Sequence, residues 1–224
     1  VRLLALVPNK KGALRAKEAG VEIVNFVLSA SEVHNKKNVN KTIDESLADY
    51  KEMMAEVEGL EIRLALACVF GSPFGDEIPV DRVLRICEKA YELGVSQIGL
   101  ADSAGLSTPL NTRRVLKEIS KHFDIKKMSI HLHDTRGMGI ANAFVALEEG
   151  MRNFDTSLGA LGGCPFIPGA KGNIATEDFV HMVKAMGLNT KYDLGKILEL
   201  TSYMDDSLHL EIGSSMYKCM KCKS

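Results

Sequence analysis

The stretch SQIGLADSAGLSTPLNTRRVLKEISKHFDIKKMSIHLHD, residues 96–134, decides the fold. It opens on a short apolar run, Ser96–Ala101, and closes on another, Lys127–His131. Between them, apolar residues recur at helical spacing over Pro109–His122. Thr108 precedes Pro109, which puts a capping residue ahead of a proline at the first helical position. A strand, a helix and a second strand in this order predict a parallel pair joined by a right-handed crossover.

The same unit repeats outward in both directions. Strands are expected at Arg2–Val7, Val21–Leu28, Ile62–Phe70 and Asn153–Leu158. Helices are expected at Lys11–Ala19, Ile43–Val57, Val80–Leu93, Met138–Glu149, Ala175–Met186 and Leu194–Tyr203. Thr42 and Glu45 read as a capping box at the start of one helix. Gly20, Gly94, Gly150 and Gly187 stand where helices should stop. The strands read as apolar on both faces, as in a sheet covered by helices. An α/β fold follows, and both an open doubly wound sheet and part of a (β/α)8 barrel satisfy the pattern. The expected domain covers residues 1–204, and residues 205–224 form a less regular tail.

Composition narrows the function classes. Lys and Arg total 28 against 29 Asp and Glu, so no basic surplus drives binding to nucleic acid or an anionic membrane. No apolar run is long enough to span a bilayer. The cysteines at 68, 87, 164, 219 and 222 are odd in number and mostly far apart, which suits a reducing compartment better than a disulfide framework. Cys68 and Cys87 fall at core positions, while Cys219 and Cys222 read as a solvated tail.

In either architecture chemistry belongs at the carboxyl ends of the strands. His131 and His133 are two apart and share a face, which suits paired neutral imidazoles on a divalent cation. Cys164 follows Gly162 and Gly163; it reads as a reactive thiol on a bendable loop or as a small apolar residue filling a turn before Pro165. Asp102 ends a strand as an acid/base group or a cap. Asn173 and Thr176 read equally as caps, with Glu177 and Asp178 in the first turn of the helix that follows. Lys36 and Lys37 lie in a charge run that holds phosphates or forms a solvated loop. His34, His122, His181 and His209 join no constellation.

The motifs HLHDT (131–135), GGCP (162–165) and GNIATED (172–178) together resemble the 3-hydroxy-3-methylglutaryl-CoA lyase family. The resemblance extends back through LADSAGLSTP, CVFGSPFGD, SASEVHNKKN and VPNKKG, and fades near Tyr203. It implies a TIM barrel and metal-assisted carbon–carbon cleavage of the acyl-CoA thioester 3-hydroxy-3-methylglutaryl-CoA to acetyl-CoA and acetoacetate. By the same resemblance, His131, His133 and Asn173 bind Mg²⁺ or Mn²⁺, and Cys164 is the catalytic thiol. Asp102 and His131 are the candidate bases. Glu177 lies near the metal, and Gly162, Gly163, Lys36 and Lys37 help bind substrate. It further implies a homodimer, in bacterial cytoplasm or in a mitochondrial matrix.

One feature of the family is missing. Its Arg-Asp-Gly strand end does not occur here, and the six units match the third to eighth of the barrel. The chain, which begins at Val1, is therefore expected to be a fragment or an incompletely recorded sequence, weak or inactive alone. Two other enzymes of the superfamily are weighed against this reading. A condensing synthase of the 2-alkylmalate type carries H-x-H-N and lacks G-G-C-P, and a biotin-dependent carboxyltransferase lacks G-G-C-P. A non-catalytic binding remnant is the reading from another class.

Overall fold

The computed structural model describes residues 2–55, 57–163 and 172–222. Six strands form one parallel sheet: β1 (Leu4–Val7), β2 (Ile23–Ser29), β3 (Glu61–Ala67), β4 (Gln97–Asp102), β5 (Ser129–Leu132) and β6 (Asn153–Asp155). They lie in the order β1-β2-β3-β4-β5-β6. That order settles the architecture, because a doubly wound sheet reverses its strand order partway. Strands that each add to the same side make the curl of a (β/α)8 barrel, of which six successive units are present.

Around the sheet run α1 (Lys10–Glu18), α2 (Glu32–Val39), α3 (Ile43–Met54), α4 (Val80–Glu92), α5 (Pro109–Ser120), α6 (Gly139–Glu148) and α7 (Thr176–Ala185). The expected starts are built as read. Thr42 Oγ1 accepts from Glu45 N–H at 3.1 Å and Glu45 Oε2 accepts from Thr42 N–H at 2.7 Å. Thr108 Oγ1 accepts from the Asn111 N–H.

The two faces of the sheet differ. Phe26, Leu28, Leu64, Leu66, Ile98, Leu100, Ile130 and Leu132 are buried against the helices and form the core. The other face carries Asn25, Arg63, Gln97, Ser129, His131 and Asp155 among the small residues Ala65, Gly99 and Ala101. The expectation of apolar residues on both faces is therefore corrected. One face packs on helices, and the other lines the inside of the curl, where polar groups meet a cavity.

Two helices escaped the sequence reading. The run expected as a solvated loop, Asn35–Asn38, lies within α2, which Ser31 caps by accepting the His34 N–H at 3.0 Å. Asn35 is buried: its Oδ1 accepts from Ser29 N–H, and its Nδ2 donates to Lys41 O, Thr42 O and Ser46 Oγ. It ties α2 to β2 and α3. The second is α9 (Ser215–Lys221), which follows α8 (Leu194–Leu208). α8 runs unbroken across residues 204 and 205. Asp178 accepts from Ser214 Oγ and from the Ser215 and Met216 N–H groups, fastening the start of α9 to α7.

Candidate active site

A cavity of about 420 Å³ occupies the inner face of the sheet. His131 and His133 project into it from β5 and its end, with ring centroids 5.1 Å apart and ring planes at 64°. Their shared face follows from the two-residue period of a strand. Asn173 reaches them from the far side of residues 164–171. Its backbone bridges His133, with Asp134 N–H on Gly172 O and Ile174 N–H on Leu132 O, both at 3.1 Å.

Asn173 Nδ2 donates to Leu161 O at 2.9 Å, which fixes the amide. Among the described residues its Oδ1 is buried without a hydrogen-bond partner, and so is Nδ1 of His133. Buried polar atoms are nearly always satisfied, so two orphans side by side ask for an electrophile. Among the described residues no trio of His, Cys, Asp or Glu gathers in a metal-holding arrangement. The donor set here is two imidazoles and an amide oxygen, and this mixed nitrogen and oxygen chemistry fits a divalent cation.

Burial keeps both imidazoles neutral, as ligands must be. It pushes His133 down to about 4, with His131 beside it adding to the effect. It lowers His131 too, while the Asp155 carboxylate and the Asn173 side chain work the other way. Asp155 pairs in register with His131 on β6 and shares its face. Protein packed on most sides raises its carboxyl above the usual range, although part of the side chain reaches solvent through the cavity mouth. Sequence reading missed Asp155, because only the β5–β6 register places it beside His131.

Several expected site residues lie elsewhere. Asp102 is fully buried on the opposite face of the sheet, in register with Leu132 and not with His131. Its two oxygens accept from the Leu106 and Ser107 N–H groups at 2.9 and 3.0 Å, so it caps the turn after β4. Burial raises its pKa against those hydrogen bonds and the nearby Arg136. Glu177 is also fully buried and is not among the cavity-lining residues. It accepts from Gly159 N–H at 2.9 Å and from the Thr201 hydroxyl, bracing the 3-10 turn Leu158–Ala160 against α8. Lys36 and Lys37 are exposed on α2; Lys36 Nζ donates to Asn40 O, and Lys37 Nζ sits 4.3 Å from the Phe74 ring centre.

Gly163 lines the cavity, and Gly162 packs on Asn173. The Gly162 backbone has φ +92°, and a Cβ there would come within 2.9 Å of Asn173 Nδ2. Gly162 O also accepts from Gly172 N–H at 2.9 Å. Cys164 lies outside the described residues.

Known proteins are similar to this chain in sequence and fold. The family model described as HMGL-like matches residues 3–204. The hydroxymethylglutaryl-CoA lyase YngG of Bacillus subtilis is 39% identical over 210 residues, which are 93% of this chain and 70% of that protein. An (R)-citramalyl-CoA lyase of Chloroflexus aurantiacus is 37% identical over 209 residues, covering 92% of this chain and 66% of its own length. The solved structure of an HMG-CoA lyase from Acinetobacter baumannii, with coenzyme A and 3-methylmalate, superposes with a TM-score of 0.92 at 38% identity. That superposition covers 96% of this chain and 71% of the other. The chain belongs to the HMGL-like family and is an enzyme of the hydroxymethylglutaryl-CoA lyase type, a TIM-barrel carbon–carbon lyase.

Proposed function

We propose that the chain cleaves 3-hydroxy-3-methylglutaryl-CoA to acetyl-CoA and acetoacetate, using Mg²⁺ or Mn²⁺ held by His131, His133 and Asn173. The observation that carries this reading is the pair of orphaned atoms, His133 Nδ1 and Asn173 Oδ1, on two residues whose backbones bridge beside the cavity that His131 and His133 line. Bound there, a divalent cation supplies Lewis acidity that stabilises negative charge on the substrate oxygens.

The chain's own residues then have separable tasks. Leu161 O and Gly162 hold the Asn173 amide in place. Asp155, beside His131 on the inner face, takes the proton of the tertiary hydroxyl. Asp102, committed to two backbone N–H groups on the other face, stiffens the end of β4. The carbon–carbon bond breaks, its electron pair passes to the acetyl-CoA enolate, and the ketone carbonyl forms. Cys164, next in the chain after the cavity-lining Gly163, delivers the proton that quenches the enolate. A positioned proton donor typically contributes about 10²–10⁴-fold, so Cys164→Ala should slow turnover by that order.

The citramalyl-CoA lyase relative favours a second acyl group for the same site. Carbon–carbon cleavage is assayed by acetyl-CoA release from both acyl-CoAs, with and without added Mg²⁺. Cation-dependent release of acetyl-CoA from 3-hydroxy-3-methylglutaryl-CoA supports the first reading. Cleavage of citramalyl-CoA alone replaces it with the second, and cleavage of neither overturns both in favour of the non-catalytic binding remnant.

A further inference from the structure

Among the described residues, His34 lines the cavity with both of its ring nitrogens unpartnered. It lies on the first turn of α2, is only 2% exposed, and lines the same cavity as His131 and His133. Among the described residues neither its Nδ1 nor its Nε2 finds a hydrogen-bond partner. A buried imidazole with both nitrogens idle forfeits its hydration for nothing within the protein. Neighbouring side chains do not repair this. The Phe74 ring stacks on it at 6.0 Å, and Asp76 spends its Oδ1 on the Ser31 and Ser72 hydroxyls. Burial holds the ring neutral against the pull of Asp76, so one nitrogen is a donor and the other an acceptor.

Asn38, four residues on and thus on the same helix face, also lines the cavity. The wall formed by α2 therefore presents an imidazole and an amide to the space that His131 and His133 enter from β5. We propose that His34 is a substrate-binding residue whose ring N–H donates to an acceptor oxygen of the acyl unit of the bound thioester. The inference rests on the acyl-CoA reading above and adds the residue that anchors the acyl group on the side away from the histidine pair. Two oxygens offer the same chemistry, the free carboxylate and the thioester carbonyl, and the test separates them.

The test measures binding to the full chain by calorimetry, with Mg²⁺ present. The probes are 3-hydroxy-3-methylglutaryl-CoA and 3-hydroxy-3-methylbutyryl-CoA, which lacks the free carboxylate. A hydrogen bond to a charged acceptor is worth about a ten- to hundredfold change in affinity. His34→Leu is expected to lose that much for the first probe, and His34→Gln, which keeps a donor, to recover part of it. Loss confined to the first probe assigns the carboxylate, and loss for both assigns the carbonyl. Thermal melting separates a binding role from a structural one: removing an unpaired buried imidazole should leave Tm level or raise it. Unchanged affinity for both probes overturns the proposal, and so does a fall in Tm that accompanies lost affinity. Wild-type chain that binds neither probe overturns the acyl-CoA reading itself and this inference with it.

Discussion

Replacing Gly162 by alanine should damage the metal centre through Asn173. Two effects add at this position. The backbone sits at φ +92°, where an L side chain costs about 1–2 kcal/mol. The new methyl would also fall 2.9 Å from Asn173 Nδ2, so the amide must swing away from Leu161 O. That lost hydrogen bond adds about 1 kcal/mol. The sum is roughly 2–3 kcal/mol, or a Tm lower by about 4–12 °C for a chain of this size. Gly172→Ala is the matched control. It has φ +86°, but the nearest atom to its Cβ would be Ala160 O at 3.6 Å. It carries the backbone cost alone and leaves Asn173 in place. Both variants are melted and titrated with Mn²⁺. Gly162→Ala should bind the cation about 10–100-fold more weakly, and Gly172→Ala as wild type does. Equal cation affinity in the two variants would refute the claim that Gly162 positions Asn173.

Other outcomes follow from the same geometry. His133 titrates near 6.5 unfolded and at about 4 folded, so between those values the unfolded chain binds more protons. Stability should therefore fall by about 3 kcal/mol as pH drops through that window, and urea midpoints along a pH series in His133→Ala should lose this slope. Glu177→Gln keeps its shape but weakens the brace on Gly159 and Thr201, so it should lose about 1–3 kcal/mol in denaturant while Mn²⁺ affinity holds. Asp102→Asn should lower Tm through the turn after β4 and leave turnover within about tenfold of wild type at a temperature where both are folded. A loss of turnover near 10⁴-fold with unchanged Tm would restore Asp102 as the base.

What the sequence revealed, and what it hid, divides along physical lines. Strand and helix order was legible because each element carries its own apolar period and its own stop or start residue, as at Thr42, Thr108, Gly20 and Gly94. Helix α2 was hidden because its buried face is polar: His34 and Asn35 replace the apolar stripe that periodicity counts. The inner face was misread because Asn25 and Arg63 are isolated polar residues in apolar runs, and only the curl of the sheet gives them a cavity to face. His131 and His133 were legible because same-face pairing depends on local spacing alone. Asp102 was left open between an acid/base group and a cap, because its orientation depends on its pairing with Leu132, which spacing does not reveal. Asp155 needed the same kind of information.

The central claim is that His131, His133 and Asn173 form one cation site on the inner face of the sheet. The most direct measurement is Mn²⁺ titration of the wild-type chain and of His133→Ala, followed by electron paramagnetic resonance. The wild-type chain should show a single saturable site, and the variant should weaken it by at least about tenfold. Identical titrations for the two proteins would contradict the claim.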